Sequence, residues 1–256
     1  MEKAIAIITA RGGSKRIPKK NIKEFCGKPI IAYSIEAAIK SEKFSEVMVS
    51  TDSQEIAEIA KKYGAKVPFL RSERTSDDYA TTSDVLLEVI SRYKEQGREF
   101  QYICCIYPTA PFVTKEKLTE AIELIDTKKA LAVMPIVEFS YPPQRCYVMN
   151  ANSSIEYKYP QYAQSRSQDL AIGRPRYAAW GWKRYPQYAQ SRSQDLEKQY
   201  HDAGQFYVYD TVNYLKNQGK IWKNILPVVV SELEVQDIDN ETDWRLAELK
   251  YQLMCK

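Results

Sequence analysis

A single histidine, His201, stands in a chain of 256 residues. No multi-histidine metal site can be built from it, and a hydrolase triad would rest on that one imidazole. The five cysteines (Cys26, Cys104, Cys105, Cys146 and Cys255) are odd in number and contain no C-x-x-C pair. Neither a zinc ribbon nor a disulfide framework is indicated, and free thiols are expected. No apolar run approaches the roughly 18 residues of a membrane span, and the apolar stretch near the N-terminus is too short for a signal peptide. A cytoplasmic protein with no membrane partner is therefore expected. Neither G-x-G-x-x-G nor G-x-x-x-x-G-K-[ST] occurs, which argues against a dinucleotide fold and a Walker ATPase. Charge of one sign is also scarce: 37 Lys and Arg against 33 Asp and Glu leave +4. That balance suits anionic small substrates and gives no reason to expect nucleic acid.

With 44% hydrophobic and 27% charged residues, the chain has the balance of an ordered globular protein. Its length fits one α/β domain with an appendage, or two small domains. Through about residue 140, short apolar runs alternate with amphipathic stretches, the pattern of repeated βαβ units around a mostly parallel sheet. Strands are predicted at Ala4–Ile8, Val47–Ser50, Tyr102–Tyr107 and Leu131–Val137. Helices are predicted from Pro29 to Ile39, at Ser53–Tyr63 with Gly64 as its left-handed cap, at Ser83–Glu95 and at Lys115–Asp126. Residues 141–204 are rich in Tyr, Gln, Arg and Pro, with Cys146–Met149 as a short strand, and read as an inserted subdomain. The α/β pattern resumes with strands at Gln205–Tyr209 and Leu226–Val230 and helices near Thr211–Asn217 and at Glu241–Met254. The domain division is thus 1–140 with 205–256, and 141–204. One repeat is exact in sequence: YPQYAQSRSQDL occurs at Tyr159–Leu170 and again at Tyr185–Leu196, 26 positions later. Two copies do not make a solenoid, and a local duplication is the economical reading.

The densest run of donors is Ala10-Arg11-Gly12-Gly13-Ser14-Lys15-Arg16-Ile17-Pro18-Lys19-Lys20-Asn21, directly after the first strand. In open α/β sheets ligands bind beyond the carboxyl ends of strands, where glycines let backbone N–H groups approach phosphate. Arg11, Ser14, Lys15 and Lys20 would add side-chain donors; the alternative is a solvated basic turn. Near the C-terminus, Asp237-Ile238-Asp239 in extended form would project both carboxylates to one face, a geometry suited to Mg²⁺ bound between protein and phosphates. Alternatively, Asp239 or Asn240 caps the following helix. Carboxylate pairs also serve glycoside hydrolysis.

The basic loop, V-S-T-D at Val49–Asp52 and D-I-D-N-E-T-D-W at Asp237–Trp244 resemble the sugar-acid cytidylyltransferases, over nearly the whole chain. Y-P-T-A-P-F at Tyr107–Phe112 and R-S-Q-D-L followed by H-D-A-G-Q-F-Y at His201–Tyr207 are most similar to the pseudaminic acid branch of that family. The resemblance implies a three-layer, nucleotide-diphospho-sugar transferase-like (Rossmann-like) α/β fold with an inserted dimerisation arm, and hence a homodimer. It implies an Mg²⁺-dependent enzyme that joins CMP from CTP to the anomeric hydroxyl of a nonulosonic acid, releasing pyrophosphate; legionaminic, N-acetylneuraminic and 3-deoxy-octulosonic acids stay open as alternative substrates. By the family pattern Ala10, Arg11, Gly13, Ser14, Lys15, Lys20 and Asn21 hold the nucleotide, with Lys20 and Arg11 nearest the chemistry and Asp237 and Asp239 on the metal. Arg71, Ala80 and Thr82 fall where the family contacts nucleotide, although Arg71 could equally be a surface ion-pair partner and Thr82 a helix cap. Tyr107 and Gln205 fall at the sugar pocket or in ordinary sheet packing. Arg192, with Gln194, is expected at the sugar carboxylate in preference to its duplicate Arg166, because the shorter link to the Gln205 strand fixes its register. His201, beside Asp202, is read as structural or substrate-bonding, not as a general base. In a different class, the Tyr/Trp/Arg-rich segment 174–188 could bind single-stranded nucleic acid or glycan.

Overall fold

The computed structural model describes residues 2–77, 79–159 and 198–255. Most of the duplicated segment, with Arg166, Arg192, Gln194 and the aromatic stretch 174–188, lies outside the described residues. In chain order the first elements are β1 (Glu2–Thr9), β2 (Glu24–Phe25), β3 (Lys28–Pro29), α1 (Ile30–Ser41), β4 (Glu46–Ser50) and α2 (Gln54–Lys62). Next come α3 (Thr82–Glu95), β5 (Phe100–Ile106), α4 (Lys115–Lys128), β6 (Ala132–Glu138), β7 (Tyr147–Met149) and β8 (Ile155–Tyr157). The last are β9 (Tyr200–Asp202), β10 (Phe206–Asp210), α5 (Thr211–Lys216), β11 (Ile225–Val230) and α6 (Glu241–Met254). No helix among the described residues is long and apolar enough to cross a membrane.

The chain divides into two compact units, Met1–Val137 with Asp202–Lys256, and Glu138–His201. In the larger unit the strands run in the order β11-β6-β10-β5-β1-β4. All pairings along that path are parallel except those of β10, which runs antiparallel to both β5 and β6. That reversal is not visible in the periodicity, because strand direction leaves no mark on an apolar run. The sheet is covered on both faces, which is why β1 reads as continuously apolar. Ala4, Ala6 and Ile8 face a cluster that includes residues of α1, α2 and α4, while Ile5 and Ile7 face one built with α3 and Tyr214. The expected three-layer α/β architecture results. A third cluster joins Ile17, Phe25, Ile30, Tyr33, Phe112, Ile238 and Trp244, and so ties the basic loop to the start of α6.

Helix ends follow local chemistry. Ser53 caps α2, Thr114 caps α4, and Asn240 and Asp243 form a reciprocal capping box on α6. Gly64, at φ +92°, turns the chain after α2 as expected. Two boundaries differ from the sequence reading. Pro29 is the residue before α1, not its first residue, and α3 is capped by Thr81 with Asp84, so Thr82 is free of that duty. The two-residue strands β2 and β3 and the strands β8 and β9 are too short for periodicity to announce.

The smaller unit, described by itself, contains the hairpin β7-β8. Asn150 Oδ1 accepts the N–H groups of Asn152 (3.1 Å) and Ser154 (3.0 Å), which closes the turn. The Tyr147 and Tyr157 rings meet across the strands at 4.4 Å.

Glu46, at the opposite end of the sheet from the loops of interest, is 4% exposed. Its carboxylate accepts the Tyr93 hydroxyl, Arg98 Nη1 (2.7 Å) and Lys66 Nζ (3.1 Å). Burial opposes its ionisation, but these donors outweigh it and hold the carboxyl below its ordinary range. Glu46→Ala is expected to cost about 2 kcal/mol at pH 7, since it leaves the buried Tyr93 hydroxyl without its acceptor. A folded-state pKa below the unfolded one means this contribution is present above the unfolded value and is lost as pH falls through the folded one. Urea unfolding at pH 7 and pH 3 should therefore show a wild-type advantage that shrinks in acid.

Candidate active site

The residues after β1 turn back beside β4 in a loop fixed by its own backbone. Ala10 N–H donates to Ser50 O (2.9 Å), Gly12 N–H to the Asp52 carboxylate (2.7 Å), and Asn21 Nδ2 to Arg11 O (2.8 Å). Asp52 is the acid of V-S-T-D, which accounts for that motif: it anchors the loop. A Cβ on Gly12 would sit 3.2 Å from Ser53 Cβ, so only glycine packs there comfortably, whereas a Cβ on Gly13 would meet nothing within 4 Å. Lys19 adopts φ 52° and leads into a short 3-10 turn, Lys20–Ile22.

This loop forms one wall of a cavity of about 560 Å³, within the range of small-molecule sites. Arg11, Gly13, Ser14, Lys15, Lys20 and Asn21 line it, all from the basic run. Arg71, Ala80, Thr82 and Tyr107 line the opposite side, and Asp239 enters from the segment before α6. Eleven of the residues singled out in the sequence thus meet around one space. Ala10 is fully buried behind the loop, and Asp237 and Gln205 do not line the cavity. Gln205 is 4% exposed and donates its amide to Glu234 O, so the packing alternative describes its present contacts.

Several open alternatives are settled by these contacts. Capping of α6 falls to Asn240, and Asp239 instead pairs with Arg16 at 2.7 Å. Ile238 is buried while Asp237 is exposed and Asp239 half-buried, the alternation expected of an extended segment. Lys20 Nζ donates to Ile238 O at 2.7 Å. Burial lowers the Lys20 pKa, opposed by the nearby Asp239 and Asp237 carboxylates. Arg71 is no surface ion-pair partner: its guanidinium donates to Ser50 Oγ (3.0 Å) and Ser50 O (2.9 Å), and burial lowers its pKa to about 10. His201 is exposed and packs on Phe139 at 4.7 Å, while Asp202 accepts from Tyr207 and Gly204.

The sequence reading did not single out Thr75, Asp77, Thr81 and Thr109, which also line the cavity, nor Glu88, which holds part of its wall. Glu88 on α3 accepts Ser72 N–H (3.0 Å), Ser72 Oγ (2.7 Å) and the Thr75 hydroxyl, and pairs with Arg92 at 3.0 Å. It thereby fixes the turn that follows Arg71. Thr109 lies in Y-P-T-A-P-F and could have been read from it; Glu88 is one polar residue on a helix and carried no signal.

Phosphate-compatible donors on one side and a carboxylate on the other suit a polyanionic nucleotide with a hard cation between them. Among the described residues no cluster of three or more potential metal ligands exists. Mg²⁺ takes most of its ligands from phosphates and water; Asp239 brings one carboxylate of the right chemistry to the cavity, while Asp237, two residues earlier, lies outside its lining.

The cytidylyltransferase family model matches residues 5–154. The chain is 38% identical over 251 residues to a pseudaminic acid cytidylyltransferase of Campylobacter jejuni, covering 98% of this chain and 97% of that one. It is 35% identical over 153 residues to a CMP-N,N'-diacetyllegionaminic acid synthase of Legionella pneumophila, covering 59% of this chain and 65% of that protein. A solved CMP:2-keto-3-deoxy-manno-octonic acid synthetase, complexed with CTP, superposes with a TM-score of 0.64 at 17% identity, covering 99% of both chains.

Proposed function

The chain belongs to the cytidylyltransferase family, and from that premise we propose that it joins CMP from CTP to the anomeric hydroxyl of pseudaminic acid, releasing pyrophosphate. The observation that carries this reading is the convergence of the basic loop, Lys20 and Asp239 on one cavity. The near full-length likeness to a pseudaminic acid cytidylyltransferase supports the choice of sugar acid. Arg11, Gly13, Ser14 and Lys15 hold the triphosphate, with Asn21 fastening the loop from behind. Arg71, Ala80 and Thr82 face the remainder of the nucleotide. Lys20 places a positive charge where negative charge develops as the sugar hydroxyl attacks the α-phosphate. Asp239, with Asp237 two residues before it in the same extended segment, would hold Mg²⁺, which would supply charge neutralisation and orientation of the phosphates. Tyr107 belongs to the sugar end; Arg192 and Gln194, expected at the sugar acid, lie outside the described residues, and Gln205 stands behind Tyr107 in the sheet. The protein works as a homodimer in the cytoplasm, and its product feeds a glycosyl transfer to surface glycan or flagellin.

Pyrophosphate release from CTP and Mg²⁺ with pseudaminic, legionaminic and N-acetylneuraminic acids, with mass detection of the CMP-sugar, tests the reading. Turnover with pseudaminic acid foremost is expected; turnover with none of the three overturns it. The duplicated arginines give a second expectation. Arg192→Ala should raise the KM for the sugar acid about 30-fold, the loss of a charge-assisted carboxylate contact of roughly 2 kcal/mol. Arg166→Ala should leave it within about twofold, and the reverse pattern would reassign the site to the first copy.

A further inference from the structure

We propose that Asp202 is a specificity-determining positioning residue: without touching the sugar acid, it fixes Tyr207 and, through it, the ring and hydroxyl that Tyr107 presents to the cavity. The inference rests on the reading of this cavity given above. Tyr107 follows β5 directly, and its backbone is pinned on both sides. Its N–H donates to Gln205 O at 2.8 Å, and its carbonyl accepts Ser34 Oγ at 2.8 Å. What remains to be set is the side chain. Its ring meets that of Tyr207 edge-on at 5.6 Å. The Tyr207 hydroxyl donates to Asp202 Oδ2 at 2.7 Å, while Asp202 Oδ1 accepts Gly204 N–H at 2.7 Å. Gly204 has φ +63°, so the turn that presents its N–H to Asp202 favours glycine.

Tyr207 cannot slide away from this partner. Tyr209, two residues on along β10 and so on the same face, stacks against it at 6.4 Å, and Tyr214 of α5 packs on Tyr209 at 4.6 Å. Tyr107 and Thr82 line the same cavity, whereas Asp202 lies outside the lining, so the carboxylate bears on the cavity through the two rings alone. Burial, reinforced by Asp202, pushes the Tyr207 hydroxyl far above its ordinary range, so it stays a donor at working pH. A fixed phenol does two things a free one cannot. It closes a set volume of the pocket, and it offers hydrogen bonding in one direction, which penalises an isomer with a mismatched group there.

The test uses the full chain and four variants: Asp202→Ala, Asp202→Asn, Tyr207→Phe and the double variant Asp202→Ala/Tyr207→Phe. Tyr207→Phe keeps the ring packing and removes only the hydroxyl, so it separates positioning from folding. Asp202→Ala and Tyr207→Phe should each raise the KM for pseudaminic acid about tenfold, the loss of one hydrogen bond to a charged group, with the KM for CTP within about twofold. The preference for pseudaminic over legionaminic acid should fall by a similar factor. The double variant should be no worse than either single one, because both break the same link. Asp202→Asn keeps one acceptor, for Gly204 N–H, and turns an NH2 group toward Tyr207, which must then accept where it donated, so only part of the loss should be recovered. A sugar-acid KM that does not move, a CTP KM that moves equally, or effects that add in the double variant would each overturn the inference while wild-type turnover leaves the proposed function standing. A wild type with no sugar-acid turnover overturns both.

Discussion

Lys20→Met is expected to lower kcat by about a thousandfold while CTP binding changes only a few-fold, because a donor aimed at developing charge contributes chiefly in the transition state. The side chain is held in one place. Its residue opens a 3-10 turn after the left-handed Lys19, and its Nζ is fixed by Ile238 O at 2.7 Å beside two carboxylates. Desolvation makes its charge more effective than that of the exposed lysines around it. Lys20→Arg keeps the charge but cannot place a planar fork where a compact ammonium sits, so an intermediate loss is expected. Single-turnover rates at saturating CTP, beside CTP affinity by calorimetry, separate the two effects. A kcat drop under tenfold would remove Lys20 from the chemistry.

Asp239→Asn is expected to lower kcat about a hundredfold at fixed Mg²⁺ and to shift the half-saturating Mg²⁺ concentration upward, by the logic that a neutral amide is a poor ligand for a hard cation. Asp237→Asn should act in the same direction. The structure separates this from a folding effect. The cap of α6 is Asn240 with Asp243, so neither substitution removes it, and the Arg16 pair that Asp239 makes is largely exposed and worth little. Thermal midpoints should therefore stay within a few degrees of wild type. Loss of activity with an unchanged Mg²⁺ dependence would count against the metal role.

The sheet and helices were legible because both faces of β1, β4 and β5 are covered and the helices carry conventional caps, so pattern and structure agree. The reversal of β10 and the two-residue strands were not legible, since neither direction nor a brief pairing alters composition. At the site, the basic run and the Asp237-Ile238-Asp239 segment were readable because each concentrates its chemistry within a few positions. The roles of Glu88 and Asp202 were hidden, as each is one carboxylate in an ordinary setting whose meaning comes from residues distant in sequence. Arg71 was ambiguous for the same reason, since its buried contacts are to Ser50, whereas for Thr82 the ambiguity was local: two consecutive threonines stand at the start of the helix and the first of them, Thr81, caps it.

The apolar cluster that ties Ile17 to Ile238 and Trp244 also fixes when the enzyme comes into being during synthesis. Arg16 and Asp239 are separated by 223 positions along the chain. At about 5–20 residues per second, a growing polypeptide carries the basic loop for about 11–45 s before Asp239, its partner at the cavity, is made. Through that interval the cavity lacks the wall that Asp239 supplies, so a chain stalled before that point cannot complete it.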